Sequence, residues 1–152
     1  MSRRNARILA FQALYSWDVS GSSLEDLLTF EWTKKDAAVQ TEEDGALIPE
    51  TKSDEKTFAS LIISGTFEHM DEINKMIESH LSATWTMERI NKVTLAILRT
   101  SIYEMLFLAG TQKGIVIDEA VNISKDYGTD DSYKFINAVL DKIGNNEKNP
   151  EA

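Results

Sequence analysis

Residues 86–106, TMERINKVTLAILRTSIYEML, decide the fold class. Val93, Ile97, Leu98, Ile102, Tyr103 and Leu106 recur at steps of three and four, the spacing of one helix face. Their density predicts a central helix rather than one lying on a surface. Thr86 is the candidate cap, with Trp85 before it and Ile90 after it placed as a hydrophobic staple. Arg99 stands between Leu98 and Ile102, so its head must snorkel to water or meet an acid. We read it as a structural ion pair whose acid the sequence does not name.

The same period continues on both sides. Ile8, Phe11, Leu14 and Tyr15 predict a helix from Arg3 to about Val19, broken at Gly21. Ser23 can cap a second helix that carries Leu24, Leu27 and Leu28 and ends near Trp32. A third should start at Ser53 or Asp54, with Phe58, Leu61 and Ile62 inward and Gly65 permitting close packing. Ile73, Met76, Ile77 and Leu81 mark the next. Beyond a break at Gly110–Gly114, a short helix through Ile117, Ala120 and Val121 should stop at Gly128. Thr129 then caps a last helix with Ile136, Val139, Leu140 and Ile143 inward, ended by Gly144. Strand alternation is almost absent. Six or seven helices on mostly short links predict an all-α domain, which leaves no scaffold for dinucleotide or phosphate-loop sites.

Composition narrows the function. The 152 residues include no cysteine, which excludes disulfide frameworks, thiolate metal sites and cysteine catalysis. No apolar run approaches the length of a membrane span and no signal-like stretch appears, so the expected location is the cytoplasm. His69 and His80 are eleven residues apart and outside any metal-type pair, and no metal or cofactor is expected. Ser53-Asp54-Glu55-Lys56 matches a nucleophile motif, but its companion motifs are missing and helix capping explains it. Asn122-Ile123-Ser124 is a formal glycosylation sequon without a secretory context. The adjacent acids Asp118 and Glu119 read as helix-start charge. No catalytic residue is assigned.

Net charge is -9, from 16 Lys and Arg against 25 Asp and Glu, which by itself argues against nucleic acid. The distribution argues otherwise. Arg3, Arg4 and Arg7 lie within the first seven residues, and a helix starting there gathers their like charges at the end whose dipole prefers anions. Phosphates of a polyanion would relieve both penalties. A solubilising terminus and an intramolecular acidic partner are the competing explanations. A second candidate is Asp130-Asp131-Ser132-Tyr133-Lys134-Phe135, where Lys134 could contact phosphate and the aromatics could stack on unpaired bases. Capping by the acids and core packing of Phe135 explain the same residues.

Several motifs in order resemble the NusB family of transcription antitermination factors along nearly the whole chain. They are Arg3-Arg4-x-x-Arg7 leading into Ala13-Leu14-Tyr15, Ala96-Ile97-Leu98-Arg99 before Tyr103-Glu104, and Ile117-Asp118-Glu119-Ala120 before Gly128 to Asn137 and Val139-Leu140-Asp141-Lys142. The resemblance implies one RNA-binding domain over 1–147. It would consist of an N-terminal helical subdomain at about 1–83 and a C-terminal one at about 84–144. Composition, independently of the resemblance, reads 34–53 as an acidic flexible loop and 145–152 as a frayed tail. It implies binding of boxA RNA, mainly unpaired, together with the ribosomal protein NusE, in support of rRNA operon transcription and without catalysis. Other Nus factors and RNA polymerase would be reached through the antitermination complex, and a homodimer of the free protein is left open. Carried onto this sequence, the RNA-facing residues are Arg3, Arg4, Arg7, Asp131, Lys134 and Phe135, and Tyr15 is the candidate for the NusE face. Asp118 in place of the usual asparagine, Gly114 where a proline turn is common and the long acidic loop depart from the family pattern. The alternative function is a protein-interaction module that docks a basic ribosomal protein with little RNA affinity of its own.

Overall fold

A computed structural model describes residues 2–33, 53–81 and 86–146. Seven α-helices stand among the described residues: α1 Arg3–Ser20, α2 Leu24–Leu27, α3 Ser53–Glu68, α4 Met70–Ser79, α5 Lys92–Phe107, α6 Lys113–Tyr127 and α7 Ser132–Asn146. Short 3-10 turns cover Glu31–Thr33 and Met87–Arg89. The chain is all-α, its helices sorting into two packed groups. In one, α1 lies against α3; in the other, α6 lies against α7; α5 touches all four.

Helix α5 is central because it is apolar nearly all round. Twelve of its sixteen residues are buried, among them Leu95, Ile97, Leu98, Ile102, Met105 and Leu106. Its start differs from the sequence expectation. Asn91, not Thr86, is the cap: its Oδ1 accepts from the backbone N–H of Val93 at 2.9 Å and of Thr94 at 3.4 Å. Thr86 instead opens the 3-10 turn without a side-chain capping bond, and extended Ile90 separates that turn from the helix. Trp85, the other half of the expected staple, lies outside the described residues, as do 34–52 of the acidic loop and 147–152 of the tail.

Local chemistry explains the other boundaries. Ser2 Oγ accepts from the Asn5 N–H to start α1, and Gly21, at φ +73°, closes it by donating to the Trp17 carbonyl. Ser23 caps α2 as expected, but the helix lasts one turn instead of reaching Trp32. Phe30 adopts φ +56° with its ring buried, and Trp32 Nε1 donates back to the Leu27 carbonyl at 2.9 Å, so tertiary burial overrides helix continuation. Helix α6 takes in Gly114 and runs fifteen residues to its stop at Gly128, longer than the sequence suggested. Thr129 does not cap α7; its carbonyl accepts from the Ser132 N–H and hydroxyl, and the helix opens at Ser132. Gly144 lies inside α7, where its carbonyl accepts from Lys113 Nζ at 2.9 Å.

Gly65 leaves room on α3 for the Tyr103 ring of α5. A Cβ there would stand 1.9 Å from the Tyr103 ring, so only glycine admits that ring flat against the helix. Tyr103 continues into a stack with Phe107, 5.9 Å between centroids, and His69 lies 4.1 Å from Phe107.

Candidate nucleic-acid interface

The three N-terminal arginines share the first two turns of α1, yet their surroundings differ. Arg7 is buried. Its Nε and Nη2 donate to the two carboxylate oxygens of Glu104 on α5 at 2.8 and 2.7 Å, and its Nη1 donates to Glu119 on α6 at 3.1 Å. Burial works most strongly against its charge, but the hydrogen bonds and charge of Glu104, followed by Glu119, outweigh it and hold the Arg7 pKa above the ordinary guanidinium value. Arg7, expected from sequence on the RNA face, is instead covered and fully engaged by carboxylates, and it pins α1 to α5 and α6.

Arg4 reaches outward from the same cluster. Its Nη2 pairs with Glu119 Oε2, and its side chain remains 48% exposed against 17% for Glu119. Hydrogen bonding to Glu119, then that residue's charge, raises the Arg4 pKa, with Asp126 adding to it. Arg3 is exposed, its guanidinium 4.6 Å from the Phe58 ring centroid and its Nη1 3.5 Å from the Thr111 hydroxyl; among the described residues it makes no carboxylate pair. The like-charge penalty foreseen at this helix start is therefore largely cancelled within the chain, by Glu104 and Glu119, and of the three arginines Arg3 alone has no acid among the described residues. These two acids were not among the sequence candidates. Glu104 carried a usable signal, being an acid in the same apolar helix as Arg99; Glu119 was assigned to helix-start charge but sits in the middle of α6.

The second candidate segment opens α7. Lys134 is well exposed, with Asp131, three residues earlier and just ahead of the helix, 3.8 Å away, a spacing at which a solvated pair adds little. Lys125 Nζ on α6 and Lys134 Nζ lie 4.9 and 5.9 Å from the centroid of the Tyr133 ring. Lys125 extends the patch beyond the segment singled out from sequence, which already held Tyr133. Phe135 is half-buried and packs against the core. Helix α6 links the two regions, Glu119 and Lys125 standing about 9 Å apart along its axis and roughly 120° apart around it, on neighbouring faces.

The remaining sequence candidates sit elsewhere. Tyr15 is exposed on α1, 37% accessible, one turn from exposed Val19. Arg99 is buried; its Nη1 donates to Asp18 at 3.2 Å and its Nε to Asn74 at 3.0 Å, with the guanidinium 5.5 Å from the Trp17 ring. Burial lowers its pKa and Asp18 offsets part of that. His69 is bonded to Glu72 at 3.0 Å, and His80 Nδ1 lies 2.8 Å from the Met76 carbonyl. Among the described residues no group of three His, Cys, Asp or Glu side chains could hold a metal ion. No described helix is long and apolar enough to cross a membrane.

This arrangement can be set beside known proteins. The chain matches the NusB family over residues 4–145. It belongs to that family. The transcription antitermination protein NusB of Treponema denticola is 46% identical over 145 residues, spanning 95% of this chain and 97% of the relative. A structure of T. maritima NusB superposes with a TM-score of 0.78 at 31% identity, covering 99% of this chain and 95% of the other. A chain in the crystal structure of antitermination factors NusB and NusE in complex with double-stranded RNA superposes at 0.74 with 30% identity, over 94% and 96% of the two chains. The function is accordingly that of the family, transcription antitermination, and family members are not enzymes.

Proposed function

We propose that the protein binds boxA-type RNA, mainly as an unpaired strand, together with a NusE partner, and so supports rRNA operon transcription. Residues 1–147 act as one RNA-binding domain in this reading. The observation that carries it is the exposed Arg3 guanidinium, which no carboxylate among the described residues neutralises although the protein as a whole is acidic. Arg3, Arg4 and Lys134 supply phosphate contacts, while Arg7 holds the edge in place from below. Phe135, with Asp131 beside it, faces the bases, and Tyr15 belongs to the NusE face. Other Nus factors and RNA polymerase are reached through the assembled complex. A related chain crystallised with NusE and RNA lends support, though that RNA is double-stranded.

Titration of single- and double-stranded boxA RNA across salt concentrations tests the reading. Each neutralised phosphate contributes about 0.7 to the log–log salt slope for a single strand. Arg3→Ala and Lys134→Ala should each flatten the slope by about that amount. Full affinity and an unchanged slope in both variants would remove this surface from RNA binding. The second reading, a module that docks a basic ribosomal protein, draws on the net charge of -9. Capture of NusE that survives nuclease, by a protein that ignores RNA at low salt, would favour it.

A further inference from the structure

The two arginines that share Glu119 do not need it equally. Arg7 already has a full carboxylate partner, since Glu104 takes both its Nε and Nη2. Glu119 stays anchored by Arg7 Nη1 and is largely covered, whereas Arg4 is the long, half-exposed side chain at the rim. Two guanidiniums and two carboxylates make the cluster neutral. A phosphate approaching Arg3 therefore finds Arg4 occupied.

We propose that Glu119 is an intramolecular competitor for phosphate, holding Arg4 in the free protein until an RNA strand draws it away. This deepens the RNA reading and rests on it. When Arg4 swings to a phosphate oxygen, Glu119 remains on Arg7, and the cluster left behind carries one net negative charge. Salt weakens the Arg4–Glu119 pair as well as the Arg4–phosphate pair, so the two dependences partly cancel. The Arg4 contact thus adds affinity with a weaker salt dependence than the Arg3 contact. Because phosphates carry no sequence information, the competitor lowers affinity for every RNA alike. A strand that engages several cations together can displace it more readily than one meeting Arg4 alone.

The test is a double-mutant cycle on the full chain, using fluorescence anisotropy of an end-labelled boxA oligoribonucleotide and a scrambled one over a salt series. Glu119→Gln keeps an oxygen for Arg7 and removes the charge that holds Arg4. It should tighten both RNAs about three-fold at low salt and steepen the slope by up to about 0.7. Arg4→Ala in the Glu119→Gln background should abolish that gain, while Arg4→Ala alone should weaken binding and flatten the slope by less than Arg3→Ala does. Urea unfolding confirms that each variant is folded. Should Glu119→Gln fail to fold, Glu119→Asp keeps the charge for Arg7, shortens the reach to Arg4 and should shift affinity and slope in the same direction by less. Equal or weaker binding by a folded Glu119→Gln overturns the proposal, as does a gain that persists without Arg4. If wild type binds and Arg3→Ala weakens it while Glu119→Gln matches wild type, only the competitor role falls. If neither wild type nor Glu119→Gln binds RNA, the competitor role and the RNA reading fall together.

Discussion

Replacing Glu104 by Gln should unfold the protein more readily than any surface substitution in the arginine cluster. Glu104 is 2% exposed and Arg7 9%. The substitution keeps the shape of the side chain but leaves a buried guanidinium facing an amide, so one donor loses its charged acceptor. Removing one member of a buried pair typically costs about 3–5 kcal/mol. Glu119, 3.1 Å from Arg7 Nη1, continues to balance part of the charge, which places the expected loss near the low end, about 3 kcal/mol. For a chain of this size that lowers the melting temperature by roughly 6–12 °C. Urea denaturation followed by far-UV circular dichroism measures the loss, with an unchanged m value required for the comparison. The paired change Arg7→Leu with Glu104→Leu, which removes both charges, should cost less than Glu104→Gln alone, because Glu119 keeps Arg4 and no buried charge is left without a partner. A loss below about 1 kcal/mol for Glu104→Gln would refute the assignment of Arg7 as a buried structural cation.

Other outcomes follow from the same geometry. Gly65→Ala should destabilise by about 1–3 kcal/mol despite its better helix propensity, and combining it with Tyr103→Ala should recover part of the loss because the clash partner is gone, as read by thermal unfolding. Asn91→Ala should cost about 1 kcal/mol by removing the α5 cap, whereas Thr86→Ala, at the cap expected from sequence, should change little in the same assay. Asp18→Asn should destabilise far more than Lys92→Ala in urea melts, since Asp18 balances buried Arg99 while Lys92 is half exposed. Phe135→Leu should preserve the fold and weaken boxA binding by about 1 kcal/mol or more, a difference that anisotropy titration resolves; equal affinity in the folded variant would make the ring a core residue alone.

Much of the architecture was legible because helices are local. The stripes that carry Leu14, Ile77 and Leu140 repeat within a few residues, and the burial of these three follows from that period. Caps were legible less often. Ser23 met its expectation, but Asn91 displaced Thr86 because extended Ile90 interrupts the helix before it can form. The one-turn α2 was hidden for another reason: Phe30 takes a left-handed backbone to bury its ring, a choice made by the neighbouring core rather than by local propensity.

The charged groups divide the same way. Sequence alone determined that three arginines crowd one helix start, that Arg99 lies in an apolar helix, and that the chain is helical throughout its recognisable elements. Which arginine is structural and which stays available was decided only by the tertiary fold. Arg7 meets Glu104 across 97 residues and Glu119 across 112, and Arg99 meets Asp18 across 81. A helical pattern fixes which residues share a face, through spacing within a few turns. It does not fix which distant carboxylate that face will meet, because the meeting depends on how α1, α5 and α6 cross.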